Sequence, residues 1–400
     1  MNILLTLLAL IFDALGVYLL FNVLYLLFFA TAGHRKLASL PEPPATAAQR
    51  RMCVLMPAYK ADTVIQQTAP MAKRHAYAGL AQVHVIADQL QSATVQGLRQ
   101  QGIGVIEIFF EKSTKGKALL AALEALPSNT YDVAVILDVD NVMEAGFLTQ
   151  VNQAFAAGFR VVQGHRTSQH LDSGFAVLDA CNEEINNHIF RRGHAALGMS
   201  PALIGSGMAF EYSYLRELLQ DIGDTPGEDK EIDFRLLKDR VSIGYLPEAH
   251  VYDEKIPNAQ VFQTQRTRWL ATQVEFLRKY FWEGLVQLKK GNLEFFDKIL
   301  QSMLLPRVLL LGLLSLLVVL ALLEVIPGTP PRFWVGLLGG AGLALLLSLP
   351  RRLYNGQVAR AVLLMPVALG AMVLALLQIN KAKKSFLHTP HRTKGEAPQS

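Results

Sequence analysis

The chain of 400 residues (44.1 kDa) is 51% hydrophobic and only 18% charged, with a mean hydropathy of +0.27. Globular chains carry roughly 25% charged residues, so a disordered or fibrous protein is excluded and part of this chain is expected in lipid. The net charge of +5 does not indicate nucleic acid, because the basic residues flank apolar segments or sit in a basic tail, with no zinc-finger or RNP pattern among them.

From Ile3 to Ala32 the chain is apolar apart from Asp13, Asn22 and small polar residues. This exceeds the roughly 20 residues a helix needs to cross a bilayer and predicts a membrane segment over residues 1–36. It lacks the basic start and small-residue cleavage site of a signal peptide. His34, Arg35 and Lys36, followed by Arg50 and Arg51, place the next block in the cytoplasm by the positive-inside rule.

Residues 50–270 alternate short apolar runs with helical patterns: Cys53–Met56, Val83–Ala87, Val105–Phe110, Val133–Leu137 and Arg160–Val162 read as strands. Such spacing predicts βαβ units, an α/β domain and a mostly parallel sheet, with ligands at the carboxyl ends of its strands. Polar groups follow those ends: Tyr59 after the first run, Asp88 after the second, and Asp138-Val139-Asp140 after Val133–Leu137. Two carboxylates leaving a buried strand together repel each other and suit a hard divalent cation, Mg²⁺ or Mn²⁺. Cys53 and Cys181 read as core residues of a cytoplasmic domain.

Lys115-Gly116-Lys117 opens a helix, which is either a phosphate contact or a solvated helix start. Gly205-Ser206-Gly207 allows a close backbone approach to a ligand. Glu228-Asp229 precedes a helical pattern, where carboxylates also serve as caps. Gln265, Arg268 and Trp269 share one helix face at i, i+3 and i+4, ahead of an amphipathic stretch over residues 271–303.

Three further apolar segments, Val308–Leu323, Phe333–Leu349 and Ala361–Ile379, predict a membrane block over residues 304–380 before a basic tail over 381–400. Three crossings would put that tail on the opposite side from the α/β domain. The short, Gly-rich Phe333–Leu349 is therefore expected to lie at the interface or to re-enter.

In order, these motifs resemble those of the membrane-embedded family 2 glycosyltransferases, the branch with cellulose, hyaluronan, chitin and poly-N-acetylglucosamine synthases. The resemblance implies a GT-A fold flanked by N- and C-terminal transmembrane helices, in a bacterial inner membrane. It implies inverting, metal-dependent transfer from a nucleotide sugar, usually UDP-linked. The leading expectation is a polysaccharide product, with accessory export subunits as partners; the alternatives are one sugar transferred to a lipid acceptor, or an inert nucleotide-binding scaffold. Residue by residue, Tyr59, Asp88 and Lys117 would contact the nucleoside, Asp138 the nucleotide and metal, and Asp140 the metal. Asp229 would be the general base beside Glu228. Arg268 would hold the diphosphate, and Gly205, Ser206, Gln265 and Trp269 the acceptor. Two departures stand out: Gly227 where relatives often have Thr, and Phe386–Arg392, which resembles the gating loop of cellulose synthases but carries histidines.

Overall fold

The computed structural model describes residues 3–38, 48–127, 129–168, 171–223, 225, 227–255 and 258–382. The gating-loop likeness at 386–392 and most of the basic tail lie outside them.

After helix α1 (Ile3–Ala32), the globular block runs β1 (Met52–Tyr59), α2 (Asp62–Lys73), β2 (Ala81–Asp88), α3 (Ser92–Gln100), β3 (Gly104–Ile108), α4 (Lys115–Ala125) and β4 (Val133–Ile136). It continues through β5 (Val142–Met143), α5 (Phe147–Ala156), β6 (Val161–Thr167) and α6 (Gly174–Asn186), which passes into a π-helical turn over Asn187–Gly193. Then come β7 (Met208–Glu211), α7 (Tyr212–Leu219), α8 (Glu228–Lys238) and β8 (Ile243–Tyr252). The chain ends in α9 (Ala259–Lys289), α10 (Leu293–Met303), α11 (Arg307–Leu322), α12 (Pro331–Ser348), α13 (Gly356–Val362) and α14 (Met365–Ala382).

The five expected strands form, and β1 shows why they are central. Met52, Val54 and Met56 pack into the core beneath α2 and α5, while Cys53 and Leu55 pack into the one beneath α4 and α7. Period-two side chains that are apolar on both faces require helices on both sides of the sheet. The eight strands are ordered β3-β2-β1-β4-β7-β6-β8-β5. The sheet is mixed: four of its seven pairings are parallel, in keeping with a mostly parallel sheet, whereas β7 runs antiparallel to both β4 and β6, and β5 antiparallel to β8. Its first half is the parallel unit that the sequence predicts, with Tyr59 paired to Asp88 at the ends of β1 and β2. Both cysteines are free and buried, as expected of core residues.

The expected boundary at residue 270 falls inside α9, one continuous 31-residue helix that carries Gln265, Arg268 and Trp269 in its first third. That helix ties the α/β block to the apolar end of the chain, packing on α10 and α14.

Two helices are long and apolar enough to cross a membrane alone, Leu5–Ala32 and Pro331–Ser348. Two bent pairs add to them: α10 with α11 at 56°, across Leu304-Leu305-Pro306, and α13 with α14 at 50°. Pro331–Ser348, which holds most of the segment expected to re-enter, is one unbroken helix. Its glycines serve packing: a Cβ on Gly340 would lie 2.8 Å from Val23 Cγ1 of α1, and Trp334 is fully buried beside that helix. Small residues that let apolar helices approach account for a Gly-rich stretch without re-entry. The bends fall instead before Pro306 and within Leu363-Leu364, where the ladder of helical hydrogen bonds is interrupted.

Candidate active site

One cavity of about 1110 Å³ runs from the carboxyl ends of β1, β2 and β4 to the helices α9, α11 and α14. Tyr59, Asp88, Asp138, Asp140, Gly205, Glu228, Asp229, Gln265, Arg268 and Trp269 all line it. Lys117 and Ser206, also expected at the site, do not.

At the sheet end Asp88 is 2% exposed, and neither carboxylate oxygen has a hydrogen-bond partner among the described residues. A buried acceptor pair without donors is costly unless a ligand supplies hydroxyl or N–H groups. Two strands over, Asp138 and Asp140 leave the end of β4. Burial first, and then the Asp138 charge, raise the Asp140 carboxyl to about 6.

Of the two lysines in Lys115-Gly116-Lys117, it is Lys115, not the expected Lys117, that lines the cavity. Its ammonium forms an ion pair with Asp138 and donates to the Gly205 carbonyl at 2.5 Å. Residues two apart on a helix point about 200° from each other, so only one of the two lysines can face the cavity. Lys117 lies over the Phe110 ring instead, with its backbone N–H capped by Thr114 Oγ1 at 3.3 Å. Burial works against the charge on Lys115, but Asp138, Glu228 and Asp229 together hold its pKa above the usual lysine value.

Ser206 is fully buried and acts as an internal clamp. Its Oγ accepts from the Asp138 backbone N–H at 2.9 Å and donates to Asn141 Oδ1, fastening the acidic turn to the glycine loop. Gly205 does face the cavity, at φ +82°, and a Cβ built on it would lie 3.7 Å from Asp229 Oδ2. The left-handed backbone favours glycine there, while Lys115 and Asp229 lie at ordinary contact distance from it.

Glu228 and Asp229 open α8 and divide their tasks by burial. Glu228 is 8% exposed, packed near Gly116 at the start of α4; burial first, then Asp229, push its carboxyl up to about 7, opposed by Lys115. Asp229 is half-exposed to the cavity, and its Oδ1 accepts from the Lys230 backbone N–H at 2.8 Å. Gly227 has an ordinary negative φ of −121°, yet its built Cβ would meet Thr272 Cγ2 at 2.5 Å. Close packing of α8 on α9 thus explains glycine where relatives carry threonine.

On α9 the Gln265 Oε1 atom is buried without a partner, and the Arg268 guanidinium pairs with no carboxylate among the described residues. The Trp269 ring has Arg266 stacked 4.2 Å away. Arg266, 7% exposed, pairs with Asp179 at 2.6 Å. Burial draws its guanidinium below the usual arginine value despite that carboxylate. Arg166 and Arg191 join it around Glu183, at 3.0 and 3.3 Å. The π-turn that delivers Arg191 left no mark in the sequence, although such insertions cluster at functional sites.

No group of three or more His, Cys, Asp or Glu suited to a metal occurs among the described residues. An all-protein cage of the zinc type is therefore absent there, whereas the paired Asp138 and Asp140 fit a cation that takes its remaining ligands from a phosphorylated substrate and water.

No curated protein matches the chain in sequence. Among solved structures, it is similar to the mannosyltransferase PcManGT from Pyrobaculum calidifontis, determined with GDP-Man and Mn²⁺: 16% identity, 95% of this chain and 99% of that one covered, TM-score 0.57. The glucosyl-3-phosphoglycerate synthase from Mycobacterium tuberculosis, determined with Mn²⁺, UDP and glucosyl-3-phosphoglycerate, has 18% identity over 59% of this chain and 84% of that one; its TM-score of 0.39 is too low to carry weight. The first likeness supports a GT-A-like fold with its mixed sheet. Residues 49–272 match the model of the family described as "Glycosyltransferase like family 2". That match spans the sheet, the acidic turn, α8 and the motif of α9, and by it the chain belongs to glycosyltransferase family 2 and is a glycosyltransferase.

Proposed function

We propose that this protein transfers a sugar, with inversion, from a nucleoside-diphosphate donor to the hydroxyl of a lipid-borne acceptor at the cytoplasmic face of a membrane. The observation that carries this reading is the single cavity, polar at the strand ends and apolar between α9, α11 and α14.

Tyr59 and Asp88 bind the nucleoside, with the unpartnered Asp88 oxygens accepting from its hydroxyl or N–H groups. Asp138 and Asp140 would hold Mg²⁺ or Mn²⁺, which supplies charge neutralisation to the diphosphate when bound. Arg268 and Lys115 place fixed cations in the same cavity, where the leaving diphosphate gathers charge. Asp229 accepts the proton of the acceptor hydroxyl as its oxygen bonds to the anomeric carbon, and the nucleoside diphosphate leaves with the electron pair of the broken C–O bond. Burial holds the Glu228 carboxyl up at about 7, beside Asp229, which is half-exposed to the cavity. Trp269 offers the sugar a flat apolar face, and Gln265 an unsatisfied acceptor.

A lipid acceptor is preferred to a growing polysaccharide because apolar side chains such as Val308, Met365, Ala368 and Met372 line the far end of the cavity. Purified protein incubated with labelled UDP- and GDP-sugars, Mn²⁺ and membrane lipid is expected to yield one sugar on an organic-extractable lipid, with inverted anomeric configuration. A polymer would replace this reading with the synthase one, and no turnover of any donor would remove both.

A further inference from the structure

Between the reacting centre and the apolar wall lies a group of cations that the neighbouring carboxylates do not fully balance. Arg307, the first residue of α11, donates from Nη2 to the amide oxygens of Asn182 and Asn186 at 2.5 and 2.8 Å. It has no carboxylate within ion-pair distance among the described residues, and its Nη1 is buried without a partner. Arg266 and Arg191 are charge neighbours of the same guanidinium, as is Glu183, a carboxylate already shared by Arg166 and Arg191. Arg266 is more than nine-tenths buried, and its single carboxylate contact, Asp179, leaves Nε buried and unpartnered. All of these residues line the cavity. Desolvated cations gathered in this way are costly without an anion, and the planar guanidinium fork matches phosphate oxygens.

Three kinds of lining therefore meet in one cavity: the apolar side chains of α9, α11 and α14, the arginines, and Trp269 and the carboxylate Asp229. Arg266, stacked on Trp269, joins the second to the third. Resting on the lipid-acceptor reading above, we propose that the acceptor is a phosphate-bearing lipid. Its phosphate is held by Arg266 and Arg307, its chain lies against α9, α11 and α14, and the polar group beyond the phosphate presents the hydroxyl to Asp229. The phosphate is the handle and the hydroxyl the nucleophile, so no phosphate bond of the acceptor is made or broken.

The test uses the full chain in detergent with phosphatidylglycerol or with diacylglycerol of the same acyl chains, and counts the lipid retained after gel filtration. Wild type is expected to prefer phosphatidylglycerol by about 10- to 100-fold, the range of one or two charge-assisted hydrogen bonds. Arg266→Gln and Arg307→Gln are each expected to bring that preference down to about twofold. Arg351→Gln, which removes an exposed cation outside the cavity, is expected to keep it. Equal retention of both lipids by wild type, or an equal fall in Arg351→Gln, overturns the proposal, and Arg307→Gln alone suffices if Arg266→Gln does not fold. Efficient transfer to a polyprenyl phosphate with no free hydroxyl also overturns it, since the phosphate would then be the nucleophile. Metal-dependent donor turnover in the same samples separates the two readings: turnover without the lipid preference sinks the phosphate handle alone, and its absence sinks the transferase mechanism.

Discussion

Tyr59, Asp88 and Asp138 leave the ends of three neighbouring strands, whereas Arg191, Arg266 and Arg307 stand on a π-turn and two helices that meet only in the folded chain. At the donor end the sheet register sets the geometry, pairing Tyr59 with Asp88 before any side chain contributes. At the proposed acceptor end the helices are placed by apolar packing, with α14 lying against both α9 and α11. The donor end is thus a rigid site on the sheet. The acceptor end is a seam between helices, two of which belong to bent pairs, and such seams are where element shifts are accommodated.

Four perturbations probe that contrast. The largest effect is expected from chelating the divalent cation, which should abolish transfer while leaving lipid retention intact; parallel loss of both would mean that the two ends are one site. Next, Lys115→Met removes the ammonium that links Asp138 of the donor end to Gly205 beside Asp229. A loss of about 10²-fold in kcat is expected, the size found for deleting one electrostatic contact in a preorganised site, measured by steady-state kinetics.

Glu228 allows the boundary between the ends to be read by pH. Its folded pKa, about 7, lies above the ordinary glutamate value of 4.5, so the protonated form is favoured by folding. That contribution is fully present below about pH 4.5 and is lost as the pH rises through about 7. In Glu228→Gln the decline of the thermal midpoint between pH 5 and 8 should flatten by an amount worth about 1–3 kcal/mol. An unchanged slope would show that Lys115 already neutralises Glu228. Finally, Gly227→Thr restores the residue common in relatives but drives a side chain into Thr272, and should cost about 1–2 kcal/mol in thermal or denaturant unfolding.

The same contrast explains what the sequence could reveal. The acidic turn was legible because Val133–Leu137 is apolar enough to be a buried strand, so Asp138 and Asp140 had to emerge at its end. Gln265, Arg268 and Trp269 were legible because helical spacing puts them on one face. The strands β7 and β8 were not read: β7 is four residues long and follows a glycine loop, and β8 contains Pro247. Their places depend on pairing with β4 and β6, which lie far away in the chain. Lys115 could not be separated from Lys117 until the phase of α4 was known. Ser206 resembled a ligand contact, but hydrogen bonds to two residues some 65 positions upstream make it a clamp. Arg307 was indistinguishable from an ordinary basic flank of an apolar helix, because only the fold sets it beside Asn182, Asn186 and Arg266.

The most direct measurement is the single-turnover rate of Asp229→Asn with donor, divalent metal and lipid acceptor, taken alongside donor affinity. The account predicts a rate lower by about 10²- to 10⁴-fold, the usual contribution of a general base, with donor affinity within a few-fold of wild type. A rate near that of wild type would contradict it and remove Asp229 as the base.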